Sequence, residues 1–153
     1  MHIREAVETD ARQLAQLRWE FRSVAHAHGA LDESEDAFVA RCTAWIHDRL
    51  SNKGVWTAWV AEQNDEIVGQ IWVQIIEKLP NPTVEQERHA YISNLYVKPS
   101  VRGGLGTRLF QSCLDWLRTQ SVDQIMLWPS SRSRSLYTRH GFATTSDLLV
   151  RNG

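Results

Sequence analysis

Cysteine is scarce in this chain. Cys42 and Cys113 are the only two in 153 residues. Both fall inside helical patterns and read as reduced, buried thiols of a cytoplasmic protein. Basic runs are missing as well, and the net charge is −1. That balance argues against a general nucleic-acid binder. No apolar stretch approaches membrane-spanning length, and Met1-His2-Ile3-Arg4-Glu5 lacks the apolar core of a signal peptide. Neither nucleic acid nor membrane is therefore expected as a partner. Internal repeats and low-complexity segments are absent too.

What is present is enough for a core. With 42% apolar and 23% charged residues, one globular domain over 1–153 is expected. Seven tryptophans exceed what stability alone asks for, so some should line a pocket.

The most informative stretch runs from Tyr91 to Leu109. Tyr91-Ile92-Ser93-Asn94-Leu95-Tyr96-Val97 is rich in β-branched and aromatic residues and reads as a strand. Pro99 ends it, because proline cannot donate to a ladder. After Val101-Arg102-Gly103-Gly104-Leu105-Gly106-Thr107, apolar residues recur at 105, 109, 110, 113, 114 and 117, which is helical spacing. A glycine-rich turn thus feeds a helix N-terminus. Glycines let backbone approach an anion, unpaired N–H groups point at it, and the helix dipole adds positive charge. A Walker loop is excluded, since no lysine follows Gly106. A dinucleotide fingerprint is excluded by Leu109 at the third glycine position and by Pro99.

Along the chain, Ile3 to Val7 is a strand candidate, and Thr9 or Asp10 can cap a helix carrying Leu14, Leu17, Phe21 and Val24. A loop follows, and Ser34 can cap a second helix that Asn52-Lys53-Gly54 ends. Val55 to Glu62 and Glu66 to Ile76 read as strands joined by Gln63-Asn64-Asp65. Beyond the glycine-rich turn come a helix from Leu105 to Gln120 and a strand from Gln124 to Trp128. A fourth helix follows, capped by Ser130 or Ser131 and ended by Gly141. Phe142 to Val150 supplies the last strand or strands. The order β-α-α-β-β-β-α-β-α-β describes a layered α/β or α+β domain.

Val97-Lys98-Pro99, Gly104-Leu105-Gly106 and Tyr137-Thr138-Arg139-His140-Gly141-Phe142 resemble motifs of the GNAT superfamily of N-acetyltransferases, and the element order is similar to that family's nearly throughout. Those motifs are a V-x-P strand end, a coenzyme A loop and a Y-x-x-x-G-F signature. One spacing departs: Arg102 sits one residue late and the turn is one residue short. The resemblance implies a mixed, mostly antiparallel central sheet of six to seven strands flanked by about four helices. It also implies acetyl-CoA as cosubstrate, an amine of a small molecule or peptide as acceptor, and no metal; a homodimer stays open. A non-catalytic acyl-CoA sensor and a transferase of longer acyl groups are the alternatives.

The same resemblance assigns roles. Arg102, Gly103, Gly104, Leu105, Gly106 and Thr107 would hold the pyrophosphate, with the Arg102 side chain as a further ligand. Leu95, Tyr96 and Val97 would offer main-chain groups to pantetheine, and the N–H near Leu95 would polarise the thioester carbonyl. Tyr137 would protonate the departing thiolate. Ser130 and Ser133 would contact the cosubstrate beside Arg132 and Arg134. Tyr91 stands where many relatives place a glutamate base, leaving Glu87, His89 and Asn94 (through a water) as options. His26 and His28 form an H-x-H pair without metal-ligand spacing and suit an acceptor-binding loop. Asp32, Glu33, Glu35 and Asp36 nearby would suit a cationic amine.

Overall fold

The computed structural model describes residues 1–25, 31–101, 103–145 and 147–153. Five strands form one sheet in sequential order: β1 (His2–Glu5), β2 (Trp56–Gln63), β3 (Glu66–Glu77), β4 (Arg88–Val97) and β5 (Gln124–Met126). The first three pairings are antiparallel and β4 pairs with β5 in parallel. Four helices complete the fold: α1 (Ala11–Ala25), α2 (Glu35–Ser51), α3 (Leu105–Leu117) and α4 (Arg134–Arg139). The mixed, mostly antiparallel sheet and the four helices match the expectation.

The strand count does not. Among the described residues there are five strands where six to seven are expected, and those of 142–150 form none. Leu148, Leu149 and Val150 lie exposed. The physical reason lies in β5. It pairs through only three residues, His89 with Gln124, Ala90 with Ile125 and Tyr91 with Met126, and Pro129 stops it soon after. So short an edge offers little template for a further strand.

The sheet is covered on both faces, as the pattern of β3 requires, with seven consecutive buried residues from Ile67 to Val73. One core packs α3 against the sheet through Leu105, Leu109, Phe110, Cys113 and Leu117, together with Ile71, Val73 and Ile92. The other packs α1 and α2 through Leu14, Leu17 and Ile46 onto Val60, Ile67 and Trp72. Turn chemistry sets the register. Asn64 and Asp65 adopt φ of 52° and 63°, the paired left-handed geometry of a two-residue hairpin. Ser34 caps α2, its hydroxyl accepting from Ala37 N at 3.2 Å.

Asp10 does more than cap. Its carboxylate accepts from Val7 N at 2.8 Å and from both Arg4 Nη atoms at 2.8 and 2.9 Å. Burial would raise this carboxyl's pKa, but the Arg4 and Val7 hydrogen bonds outweigh burial and hold it below the usual range. The result ties β1 to the start of α1.

Candidate active site

The glycine-rich turn builds a cradle. Gly103 and Gly104 have φ of 129° and 84°, conformations that side chains with a Cβ resist. Among the described residues, a Cβ added at either would meet nothing within 4 Å. Gly104 precedes α3 without any side-chain cap. The first backbone bond into the helix is Arg108 N to Gly104 O at 3.1 Å. The N–H groups ahead of Arg108 therefore have no intrahelical partner and are available to an anion. That geometry fits a pyrophosphate. Arg102 lies outside the described residues.

Beside the cradle, β4 opens away from its neighbours. Between Gln70–Tyr96 and Trp72–Ser93 the register shifts, so Asn94 and Leu95 stand against the single residue Ile71. This is a β-bulge, and Asn94 takes φ of 55° within it. A bulge frees a main-chain group from the ladder. On the other side, β5 leaves β4 after Tyr91, so the rest of β4 has no strand neighbour there. Leu95 packs against the α3 core, Tyr96 stacks on Phe21 at 5.2 Å, and Val97 is buried. Their side chains are structural, which leaves the backbone as the part that could serve a ligand.

Tyr137 is on α4 and 8% exposed. Its ring meets Phe110 edge-on at 5.1 Å and lies 6.1 Å from Phe142. Burial pushes the phenol's pKa up, with the neighbouring Ser133 hydroxyl opposing. A neutral phenol is thus maintained. Ser130 and Ser133 hold one another: their hydroxyls are 2.8 Å apart, Ser130 N donates to Ser133 Oγ at 3.1 Å and Ser133 N to Ser130 Oγ at 3.3 Å. They shape the entry to α4.

On the α1–α2 side of the bulge lies a cleft of about 600 Å³. Trp45, Trp56 and Trp72 form one apolar wall, with ring centroids 5.3 to 6.3 Å apart. Tyr91 and Trp128, edge-on at 5.3 Å, form another. The tryptophan count is accounted for in part by this pocket. Among the base candidates, Asn94 lines the cleft and accepts from Arg18 Nη1 at 2.9 Å. Glu87 does not line it; Glu87 accepts from Asn81 N at 3.2 Å in the loop before β4. Six strand residues, Arg88 to Ser93, separate it from Asn94, roughly 23 Å at strand rise. His89 is half-buried, its Nδ1 without a partner among the described residues.

Sequence reading missed Arg18, Arg22 and Arg41, which line the cleft. The signal was present for one of them. Arg18 falls at the helical spacing of Leu14, Leu17 and Phe21, a charge on an apolar face. Of the acidic residues before α2, Glu33 is ion-paired with Arg41. His26 and His28 lie outside the described residues. Among the described residues, no group of three His, Cys, Asp or Glu could hold a metal, and no helix is long and apolar enough to cross a membrane.

An open glycine-rich turn at the start of α3, a bulged strand leading into it and a buried phenol on α4 are the features this fold sets together. The chain belongs to the Acetyltransferase (GNAT) family, which it matches over residues 11–142. It is a transferase of that family. A solved structure of a predicted acetyltransferase from Clostridium acetobutylicum with acetyl-CoA is similar, with a TM-score of 0.80, 24% identity and coverage of 99% of this chain and 95% of that one. A GCN5-related N-acetyltransferase from Ralstonia eutropha gives 0.78, 23% identity, and 99% and 97% coverage. An aminoglycoside acetyltransferase from an uncultured soil metagenomic sample, in complex with sisomicin, gives 0.66, 18% identity, and 99% and 93% coverage. No curated protein sequence matches the chain.

Proposed function

We propose that residues 1–153 act as one N-acetyltransferase domain, moving an acetyl group from acetyl-CoA to a primary amine of a small molecule or peptide by direct attack. The observation that carries this reading is the meeting of two sites at one bulge: the open side of β4 runs to the glycine cradle, and Asn94 lines the cleft. When bound, acetyl-CoA supplies an activated thioester. The N–H groups of Gly104 to Thr107 hold its pyrophosphate, and Ser130 and Ser133 border it. Main-chain groups of Leu95, Tyr96 and Val97 hold the pantetheine arm, and a bulge N–H at Leu95 polarises the carbonyl.

The amine nitrogen bonds to the acetyl carbon as the carbon–sulfur bond breaks. Tyr137, neutral before the step, gives its hydroxyl proton to the departing sulfur. The proton lost by the amine passes through a water held by Asn94 Oδ1 to solvent, and the Tyr137 phenolate takes a proton back from solvent, so that one proton leaves the amine and one ends on sulfur. Cys42 and Cys113 are free thiols, which suits a cytoplasmic enzyme.

Two measurements test the reading. Acetyl-CoA and free CoA should each raise the melting temperature, because both bind the native state. Thiol release from acetyl-CoA should depend on an added amine. A melting curve unmoved by millimolar acetyl-CoA would overturn the assignment.

A further inference from the structure

Among the described residues, the cleft walls contain three arginines and no carboxylate. Arg18 is the telling one. It is half-buried, its Nη1 donates to the neutral Asn94 amide oxygen at 2.9 Å, and its guanidinium lies 5.9 Å from the Phe21 ring centroid. Among the described residues, no carboxylate pairs with it. Arg41 differs, since Glu33 already neutralises it. A half-buried cation without a counter-ion is costly. Burial, with the charge of Arg22 added, pushes its pKa down, which is the direction expected of a guanidinium that lacks an anion. The five N–H donors of such a group form a planar fork matched to a carboxylate.

The same cleft offers Trp45, Trp56 and Trp72 as an apolar wall. Position narrows the class further. Arg18 bonds to Asn94, and Asn94 directly precedes Leu95, where the thioester carbonyl is placed. An anion held by Arg18 must therefore sit close to the reacting amine.

We propose that the acceptor is an amino acid, or a similar amine carrying a nearby carboxylate on an apolar body of aromatic size, with Arg18 receiving the carboxylate. This rests on the acetyltransferase reading above. A polycationic amine is the class this site disfavours, because it would meet the Arg18 guanidinium with no carboxylate among the described lining residues to receive it.

The test compares L-phenylalanine with phenethylamine, which lacks only the carboxylate, and with sisomicin, following thiol release from acetyl-CoA. L-Phenylalanine should show kcat/KM at least about tenfold above phenethylamine. In Arg18→Gln this preference should collapse, through KM, whereas Arg18→Lys should keep part of it. A parallel titration of the CoA complex with N-acetyl-L-phenylalanine and N-acetylphenethylamine reads the same preference as affinity and decides the matter even if turnover is slow. Equal or better use of phenethylamine or sisomicin, or equal affinity for the two acetylated compounds, would overturn the proposal while leaving the acetyltransferase standing. So would an unchanged preference in a folded Arg18→Gln protein. Failure of acetyl-CoA to shift the melting temperature sinks the underlying reading instead, and is scored separately.

Discussion

Arg18 on α1 and Asn94 in the β4 bulge are bonded at 2.9 Å across 76 residues of sequence. The bond fixes the first helix to the point where the central strand departs from regular pairing. Asn94 does two things there: its amide accepts from Arg18, and its backbone occupies φ of 55°, a region asparagine tolerates better than most residues. Asn94→Gly keeps the second property and loses the first; Asn94→Val loses both. The glycine variant should lose about 1.5–3 kcal/mol, the size of a hydrogen bond to a charged group. The valine variant should lose about 1–3 kcal/mol more from backbone strain. Equal stability of the two in chemical denaturation would show that the bulge carries no strain.

Gly104→Val should abolish acetyl-CoA binding and leave the fold largely in place. A β-branched residue resists φ of 84°, and its side chain would enter the open space of the cradle. Gly106 is different: a Cβ there would lie 3.9 Å from Val97 Cγ2, ordinary contact. Gly106→Ala should therefore fold normally and bind more weakly, by no more than about tenfold, or 1.4 kcal/mol. Calorimetric titration with CoA separates the two.

Tyr137→Phe removes a hydroxyl and preserves the ring that meets Phe110. A drop in kcat of roughly 10²-fold is expected, the low end for one positioned acid. Acetyl-CoA affinity and melting temperature should stay near those of the parent. Full activity in a stable variant would show that water or another group protonates the sulfur.

Asp10 gives a pH test. Its folded pKa is depressed, so its contribution is present above the unfolded value of about 3.9 and is lost as pH falls through the folded value. Asp10→Asn should cost about 1.5–3 kcal/mol at pH 7. The gap to the parent should stay open at the unfolded value and close only as pH falls through the lower, folded one. Denaturation curves at several pH values check both magnitude and sign.

Local chemistry made much of this fold legible. The hairpin at Asn64-Asp65, the cap at Ser34 and the period of α3 each rest on a few neighbouring residues, and each is found where the sequence puts it. The glycine-rich turn was legible for the same reason: Gly103 and Gly104 both take positive φ just before α3. What failed depended on distant partners. Residues 142–150 have enough apolar character for a strand, yet pairing needs an edge, and β5 is three residues long. The cleft's charge could not be read either. Arg18 stands out only as a charge on an apolar helix face, and Arg22 and Arg41 are ordinary on two separate helices until folding aims all three at one space. Glu33 was visible as an acid, but its ion pair with Arg41 was not.

The brevity of β5 has a mechanical meaning. The segment from Gln124 onward, including the residue that would protonate sulfur, joins the sheet through three strand pairs, the Trp128–Tyr91 ring contact and apolar packing on the α3 core. A molecule lying where β4 and β5 part would touch both sides, acting as a peg between them. Amides in α4 should exchange with deuterium sooner than those of β2 and β3, and CoA should slow α4 more than β2. Cosubstrate and proton donor would then be mounted together: the arrangement that delivers the acid is firm only once there is a leaving group to receive its proton.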